Sequence, residues 1–246
     1  MAFLLGFLIA FAIGVTGVGA GTITAPLLIL ALGLPPEVAV GTALLFGFLV
    51  KIPAGGVYLL KGQVDGRALF RLLLGGVPGV LLGSLLLAQL KGAKDLVLLL
   101  VGLTVVLSAG LGLWRSFKGL PQGKERPHLL PPAAFGIGLE VGFSSAGAGA
   151  LGTLLLFHAT RLSPQKVVGT DLLFGLVLAL LGGGVHLYFG QVDPGLLLAL
   201  ASGGVAGGLL GALFATRLPK EPLRVALLLW LLFIGSQLIY QGVAHG

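Results

Sequence analysis

Two stretches decide this fold: GVTGVGAGT at residues 14–22 and GFSSAGAGA at residues 142–150. Each one interrupts a long apolar segment with glycines and hydroxyl groups. Glycine allows the backbone to turn or break without a Cβ clash, and it allows a ligand to approach the main chain closely. Broken apolar segments at corresponding places in two halves of a chain are typical of a transporter binding site. We therefore expect the two stretches to form one site.

The composition excludes a soluble protein. The chain has 246 residues, of which 57% are hydrophobic and 9% are charged, and its mean hydropathy is +1.09. Apolar runs of about 20 residues recur along it, and each is long enough to cross about 30 Å of hydrocarbon. The net charge of +7 comes mostly from basic residues in short loops, which is typical of charges that set membrane topology. Cysteine is absent, which excludes disulfides and thiolate sites, and we expect neither a metal nor a cofactor.

The second half of the sequence repeats the first at a constant offset of 128 residues. LLFG at residues 44–47 returns at 172–175, and GQVD at residues 62–65 returns at 190–193. No gap is needed to align the two halves over most of their length. We interpret this as an internal duplication, which is how many transporters are built.

The duplication predicts a first transmembrane repeat at residues 1–114 and a second at residues 129–246. A basic linker at residues 115–128 would join them on the cytoplasmic side. In the repeated GQVD loops, Asp65 and Asp193 are expected to cap the helices that follow them.

Hydropathy predicts three full spans in each repeat. They lie at about residues 38–60, 68–90, 95–114, 166–189, 195–217 and 222–242. The remaining apolar segments, residues 2–33 and 129–159, have glycines in the middle. Each could be one long kinked span or a re-entrant hairpin whose arms enter and leave on the same side. No basic residue precedes the N-terminal apolar run, so we expect it to belong to the mature fold and not to a cleaved signal peptide.

The basic residues distinguish between these alternatives. Two kinked spans would make the repeats parallel and place 7 basic loop residues on each side. Two hairpins would make the repeats inverted and place 12 basic residues on one side and 2 on the other. Cytoplasmic loops carry an excess of Lys and Arg. The sequence therefore predicts an all-α integral membrane protein with two inverted repeats, each a re-entrant helical hairpin plus three transmembrane helices, and with both termini outside.

The hairpin tips suit a small oxyanion. The second arm of each hairpin begins at the tip, where its first N–H groups have no partner within the helix and the helix dipole is positive. Helix N-termini of this kind bind anions. The predicted substrate-binding residues are Thr16, Gly17, Gly19, Ala20, Gly21 and Thr22 in the first half, Ser144, Ser145, Gly147, Ala148 and Gly149 in the second, and Thr42, Thr170 and Lys51 in the spans. The alternative explanation for the glycines is close packing between helices.

Several ionisable side chains fall inside predicted membrane segments, where an unpaired charge is costly. Lys51 could hold an anion, pair with a carboxylate or reach a water-filled cavity. Glu140 and Asp171 could each carry a proton or cap backbone amides. His186 is a third candidate for proton coupling, with a core position as the alternative. All three proton-coupling candidates lie in the second half, so we do not expect the repeats to be functionally equivalent.

With these residues identified, the chain resembles the TauE/SafE family of sulfite and organosulfonate exporters. The resemblance covers essentially the whole length. It rests on residues 17–22 and 144–149, on PEVAVGT at 36–42 with the repeat-equivalent segment at 164–170, and on the GQVD loops. It implies export of sulfite or small organosulfonates across a bacterial-type inner membrane, driven by the proton gradient. The expected partners are a small anion and the lipid bilayer, not nucleic acid, and the oligomeric state stays open.

Three functions compete. The first is a secondary transporter of a small sulfur oxyanion that works by alternating access around the two tips. The second is a passive small-anion channel of the same architecture, which predicts a flux that does not saturate. The third is an intramembrane enzyme, but the sequence has no Gly-x-Ser-x-Gly and no His-Glu-x-x-His motif. We therefore expect no enzymatic activity.

Overall fold

The computed structural model describes residues 2–16, 19–90, 94–118, 125–214 and 220–244. Within these ranges the chain is helical and contains no strand. Its helices are α1 (Ala2–Thr16), α2 (Ala20–Leu32), α3 (Pro36–Leu60), α4 (Gly66–Gln89), α5 (Lys94–Lys118), α6 (Leu130–Ser144), α7 (Leu151–Ala159), α8 (Pro164–Tyr188), α9 (Pro194–Phe214) and α10 (Lys220–Ala244). A short 3-10 helix at Pro127–Leu129 precedes α6.

Six of the described helices are long and apolar enough to cross a membrane: α3, α4, α5, α8, α9 and α10. They correspond to the six spans predicted from hydropathy. The largest difference at a described helix end is in α5, which continues to Lys118 although its apolar part stops at Trp114. The residues in between include neither Gly nor Pro, so no helix breaker coincides with the end of the apolar run. The predicted end of α9, at residues 215–217, lies outside the described residues.

The short helices α2 and α7 run back along the long helices that follow them. A Cβ built on Gly47 in α3 would lie 3.4 Å from the Cβ of Ala20, the first residue of α2. In the second half, a Cβ on Gly175 in α8 would lie 3.2 Å from the Cβ of Ala148. These two pairs are equivalent under the 128-residue repeat. Each tip therefore lies beside the middle of a long helix, and α2 and α7 are antiparallel to α3 and α8.

The turn from α2 to α3 has the residues that such a reversal requires. Gly33 caps the C-terminus of α2 in the left-handed conformation, with φ of 64°. Pro35 and Pro36 follow, and Pro36 is the first residue of α3. Glycine after a helix and proline at the start of the next one are the preferred ends of helices.

Glycines bring other helix pairs into backbone contact. Three glycines of α9 face the backbone of α1 at intervals of four residues, and three equivalent glycines of α4 face the backbone of α6. They are Gly203, Gly207 and Gly211 in α9, and Gly75, Gly79 and Gly83 in α4. A Cβ at any of them would clash with the facing backbone, so these glycines serve close packing. Because successive glycines meet successive turns of the partner, both pairs are parallel.

Helices α1 and α2 run in opposite directions, and so do α6 and α7. Helix α9 is parallel to α3, because Gly204 meets Phe46 and Gly208 meets Val50 one turn further along. Helix α1 is parallel to α9, whereas α2 is antiparallel to α3, so α1 and α2 form a helical hairpin. The corresponding contacts between α4 and α8 give the same result for α6 and α7.

Repeat-equivalent helices pack against each other in the centre of the molecule. Near the start of α3, the Thr42 hydroxyl oxygen accepts a 3.2 Å hydrogen bond from the N–H of Asp193 in the loop after α8. Near the start of α8, the Thr170 hydroxyl oxygen accepts a 2.9 Å bond from the N–H of Asp65 in the loop after α3. Each helix thus begins where the other ends, and α3 and α8 are antiparallel.

The buried core lies where these helices meet their neighbours. Phe46 and its equivalent Phe174 have no exposed surface. Each ring covers a glycine of an adjacent helix, Gly204 for Phe46 and Gly76 for Phe174. The core around α3 and α8 therefore repeats its contacts as well as its sequence.

Candidate functional site

The two hairpin tips contact each other. Ser145, just after α6, donates a 3.0 Å hydrogen bond from its hydroxyl to the carbonyl oxygen of Gly21 in the first turn of α2. A Cβ on Gly21 would collide with the Ser145 backbone, and a Cβ on Gly19 would collide with the carbonyl of Ala148. The tips are therefore close enough that only glycine fits at these two positions.

The second tip is a non-helical turn of six residues, 145–150, between α6 and α7. Ser145, Gly147 and Gly149 have φ of 59°, 90° and 100°, in the left-handed region. The Ser144 hydroxyl holds the entry to the turn, since it donates to the carbonyl of Glu140 at 2.9 Å and accepts from the N–H of Ala146 at 3.2 Å. Left-handed residues orient backbone groups in ways that a continuous helix does not permit.

The helices that begin at the tips lack side-chain caps, as α3, α6 and α8 also do, whereas α4 and α9 have them. Asp65 accepts a hydrogen bond of 2.8 Å from Ala68 N–H at the start of α4, and Asp193 caps α9 in the same way, which confirms the capping prediction. By contrast, the N-cap residues of α2 and α7 are Gly19 and Ala150, and neither side chain caps its helix. No side chain therefore caps the first N–H groups of α2 and α7, although the N–H of Leu151, the first residue of α7, donates to the Gly147 carbonyl oxygen at 3.0 Å.

A small cavity lies where the tips meet α3 and α8. It is lined by Gly21, Ser145 and Ala148 from the tips and by Gly47, Lys51 and Gly175 from the long helices. Its volume is about 10 Å³, which is about the space of one water molecule. An oxyanion of four or more heavy atoms needs more room, so this conformation is closed around the site.

Lys51 places its amino group at this cavity. Its Nζ atom lies 3.0 Å from the position of a Cβ built on Gly175, and the carboxylate of Asp171 acts on it electrostatically. The equivalent of Lys51 in the second repeat is Ala179, which also lines the cavity. The cavity is thus built by both repeats but carries a charged side chain from α3 alone among its described lining residues.

Asp171 lies in α8, one helical turn before Gly175, and is buried. Its Oδ2 atom is 2.5 Å from the hydroxyl of Thr153 in α7. The same hydroxyl is 2.6 Å from the carbonyl oxygen of Gly149 in the second tip. Asp171 therefore interacts electrostatically with Lys51 and is linked to the second tip through the Thr153 hydroxyl.

Glu140 also contacts the second tip. Its Oε1 atom accepts a 2.5 Å hydrogen bond from the hydroxyl of Ser108 in α5. Its carboxylate also lies against Gly147, where a Cβ would be 2.9 Å from Oε2. Two carboxyl groups are therefore linked to the second tip, Glu140 directly and Asp171 through Thr153. The first tip has no equivalent, because Ala12 and Ala43 occupy the corresponding positions.

Comparison with known proteins assigns the family. The family model described as sulfite exporter TauE/SafE matches residues 2–238. The chain belongs to the TauE/SafE family. This membership confirms the resemblance that was inferred from the glycine-rich stretches and the GQVD loops.

Several bacterial relatives of this TauE/SafE protein match it over nearly their full length. YjnA of Bacillus subtilis, a probable membrane transporter protein, is 26% identical over 96% of this chain and 98% of its own. A probable membrane transporter protein of Xylella fastidiosa is 30% identical over 86% of this chain and 83% of its own. A probable membrane transporter protein of Haemophilus influenzae is 27% identical over 99% of this chain and 95% of its own. No solved structure matches this chain. Together with the six apolar helices, these matches identify a multi-pass membrane protein of a transporter family.

Within this TauE/SafE protein, some predicted site residues lie away from the cavity. Thr42 and Thr170 hold interhelical loops at opposite ends of the α3–α8 pair. His186 is fully buried, with its Nδ1 atom 2.8 Å from Gln191 Oε1, which confirms that it occupies a core position. The side chain of Thr16 and all of Gly17 lie outside the described part of the chain.

Other residues at the site were missed by sequence reasoning. Gly47 and Gly175 line the cavity, and the repeated LLFG motif that contains them was the available signal, although we used it only to identify the duplication. Ser108 holds Glu140, and it sits in an apolar helix with no local pattern that would have indicated this contact.

Proposed function

We propose that this protein is a secondary transporter that exports a small sulfur oxyanion, sulfite or a small organosulfonate, across the bacterial inner membrane. The anion binds between the two hairpin tips, next to Lys51, and the site opens alternately to the two sides. The observation that carries this proposal is the meeting of both tips at one cavity that Lys51 lines.

The helix directions support an inverted arrangement of the repeats. Helices α3 and α8 are equivalent and antiparallel, and a hairpin precedes each of them. Gly47 and Gly175 lie eleven residues after the first residues of α3 and α8, which corresponds to a rise of about 16 Å. In a hydrocarbon core of about 30 Å, this depth is close to the midplane. Such an arrangement agrees with both termini outside and with the basic loops in the cytoplasm.

The chemistry of the cavity favours an anion. The N-terminus of α2 reaches the cavity at Gly21, and the second tip reaches it at Ser145 and Ala148. The positive end of the α2 dipole and its N–H donors therefore lie beside a bound anion. Lys51 adds a full positive charge beside Gly175. At the midplane an uncompensated charge is costly, so the ammonium group favours a ligand of opposite charge.

Movement of the hairpins would give alternating access. The cavity is too small for the substrate while Ser145 is bonded to Gly21, so the tips have to separate for the anion to enter. The inside-negative membrane potential, a component of the proton-motive force, favours outward movement of an anion by about 2.3 kcal/mol per charge per 100 mV. A proton-motive-force-driven exporter is therefore consistent with the charge of the proposed substrate.

Transport by purified protein in liposomes tests this proposal. We expect uptake of radiolabelled sulfite to saturate with concentration and to accelerate when unlabelled sulfite is present on the opposite side, because a carrier exchanges its substrate through one alternating site. A flux that does not saturate and shows no such acceleration would support a passive anion channel instead. Absence of any flux of sulfite, thiosulfate or methanesulfonate would remove the proposed function.

A further inference from the structure

The Thr153 hydroxyl is close to two oxygen atoms at once. It lies 2.6 Å from the Gly149 carbonyl oxygen and 2.5 Å from Asp171 Oδ2. A hydroxyl carries one proton, and both a carbonyl and an ionised carboxylate only accept hydrogen bonds. With Asp171 ionised, one of the two short contacts would lack a proton. With a proton on Oδ2, Asp171 donates to Thr153 and Thr153 donates to Gly149, so that each contact is a hydrogen bond.

The charged group that acts on Asp171 is Lys51. Residues 171 and 175 lie on the same face of α8, one turn apart, and the Lys51 Nζ atom lies against Gly175. The electrostatic interaction between this ammonium and the Asp171 carboxylate crosses from α3 to α8.

The other described charged groups of the helices around Asp171 lie elsewhere. Glu140 of α6 is bound to Ser108, and His158 of α7 is exposed. Arg67 and Arg71 of α4 are also exposed, and Glu37 of α3 acts on His186 near the opposite end of α8. Lys166 of α8 itself is half-buried, five residues before Asp171. Among these charged groups, Lys51 is the one whose electrostatic interaction with Asp171 changes when Asp171 gains or loses a proton.

We propose that Asp171 binds a proton together with the transported anion, because both compete for compensation of the Lys51 charge. When the site is open and empty, the ionised Asp171 compensates Lys51, whereas the closed conformation has the short contacts of the protonated form. When Asp171 is protonated, it bonds to Thr153 and leaves Lys51 to be compensated by the anion. Binding of the proton and binding of the anion therefore favour each other, and thermodynamic linkage makes the effect reciprocal. A dianion that leaves with one proton keeps one negative charge, so the membrane potential still favours its export while the pH gradient opposes it. A monoanion that leaves with one proton carries no net charge and gains nothing from the membrane potential.

This inference rests on the proposed anion site, and binding measurements on the purified full-length protein test it. The probes are thiosulfate and methanesulfonate, whose charge does not change around neutral pH. Their affinity for the wild type should increase as the pH falls, by up to about tenfold per pH unit where one proton is linked. In Asp171→Asn, which resembles the protonated side chain, the affinity should be high and independent of pH. Glu125→Gln, which changes an exposed carboxylate outside the helices, is the control and should keep the wild-type pH dependence.

Proton uptake provides a second readout that needs no variant. Addition of thiosulfate to the protein in weak buffer should raise the pH by an amount that corresponds to at most one proton per site, and Asp171→Asn should show no uptake. Anion binding without proton uptake, or an unchanged pH dependence in Asp171→Asn, would overturn this inference and leave the anion site standing. Failure of every sulfur oxyanion to bind at any pH would overturn both.

Discussion

The hydroxyl of Ser145 donates a 3.0 Å hydrogen bond to the carbonyl oxygen of Gly21, which joins the hairpin of one repeat to the hairpin of the other. The two residues are 124 positions apart in the chain, yet each lies at the tip of a segment whose glycines interrupt an apolar run. Both tips lie beside the middle of a long helix, at Gly47 in α3 and Gly175 in α8. This contact closes the cavity that Lys51 lines, so we expect it to break and reform during transport.

The space at Gly21 should be intolerant of any side chain. Gly21→Ala would place a Cβ in the backbone of Ser145 and push the tips apart. We expect the free energy of unfolding to fall by about 1–3 kcal/mol, as for other overpacked sites, and transport to be lost. Thermal unfolding and liposome uptake measure the two effects.

Gly56 provides the matched control for this substitution. It lies within α3, and a Cβ there would have no neighbour within 4 Å. Gly56→Ala should leave transport intact and stabilise the helix by about 0.5–1 kcal/mol. Equal effects of the two substitutions would show that the tips do not pack as described.

The reciprocal threonine bonds should stabilise the fold without binding substrate. Thr42→Val and Thr170→Val keep the side-chain shape but remove the acceptors for the N–H groups of Asp193 and Asp65. Each substitution should lower the free energy of unfolding by about 1–3 kcal/mol, the cost of an unsatisfied buried group. The two effects should add within about 0.5 kcal/mol because the bonds are at opposite ends of α3 and α8.

Chemical or thermal unfolding of the two single variants and the double variant measures this additivity. Thr104→Val is a suitable control, since the Thr104 hydroxyl bonds to Val101 in its own helix. If Thr42→Val weakened anion binding and left stability unchanged, the assignment of Thr42 to loop anchoring would be wrong and the sequence-based assignment to the substrate site would be favoured.

Cysteine labelling tests the membrane topology of the first hairpin, because the natural sequence has no cysteine. Ala2→Cys and Pro35→Cys lie at the two ends of the α1–α2 hairpin and should react with a membrane-impermeant maleimide from the same, outer side. Lys61→Cys lies one span further along, after α3, and should react only from the cytoplasmic side. Labelling of Ala2→Cys and Pro35→Cys from opposite sides is incompatible with a re-entrant hairpin.

Much of this fold could be predicted because its strongest determinants are local. Apolar runs of about 20 residues located the six long helices, and the repeat related them in pairs. Tertiary packing was less accessible. The parallel contact of α1 with α9 depends on glycines that meet a helix far away in the sequence, such as Gly203 and Gly207. Helix α5 continues to Lys118 because no helix breaker lies between Trp114 and that residue, and a hydropathy profile does not detect where helix breakers lie.

The sequence predicted which segments form the candidate site, but it did not predict the side-chain contacts there. The glycine patterns located both tips, and Lys51 stood out as a charge within an apolar span. The partnerships of Asp171 with Thr153 and of Glu140 with Ser108 join different helices, and no sequence spacing encodes them. The choice of Thr42 and Thr170 as site residues followed from their place in the repeat, whereas the structure shows that both hydroxyls face loops.

Thermal unfolding of the purified protein in the presence of anions tests the central claim most directly. The panel comprises sulfite, thiosulfate, methanesulfonate, sulfate and chloride, applied to the wild type, to Lys51→Met and to the exposed-loop control Lys61→Met. A ligand at about 100 times its Kd stabilises a protein by about 2.7 kcal/mol. We predict that sulfur oxyanions raise the melting temperature of the wild type and of Lys61→Met, but not that of Lys51→Met. Equal stabilisation of all three proteins, or stabilisation of none, would contradict an anion site at the meeting point of the two tips.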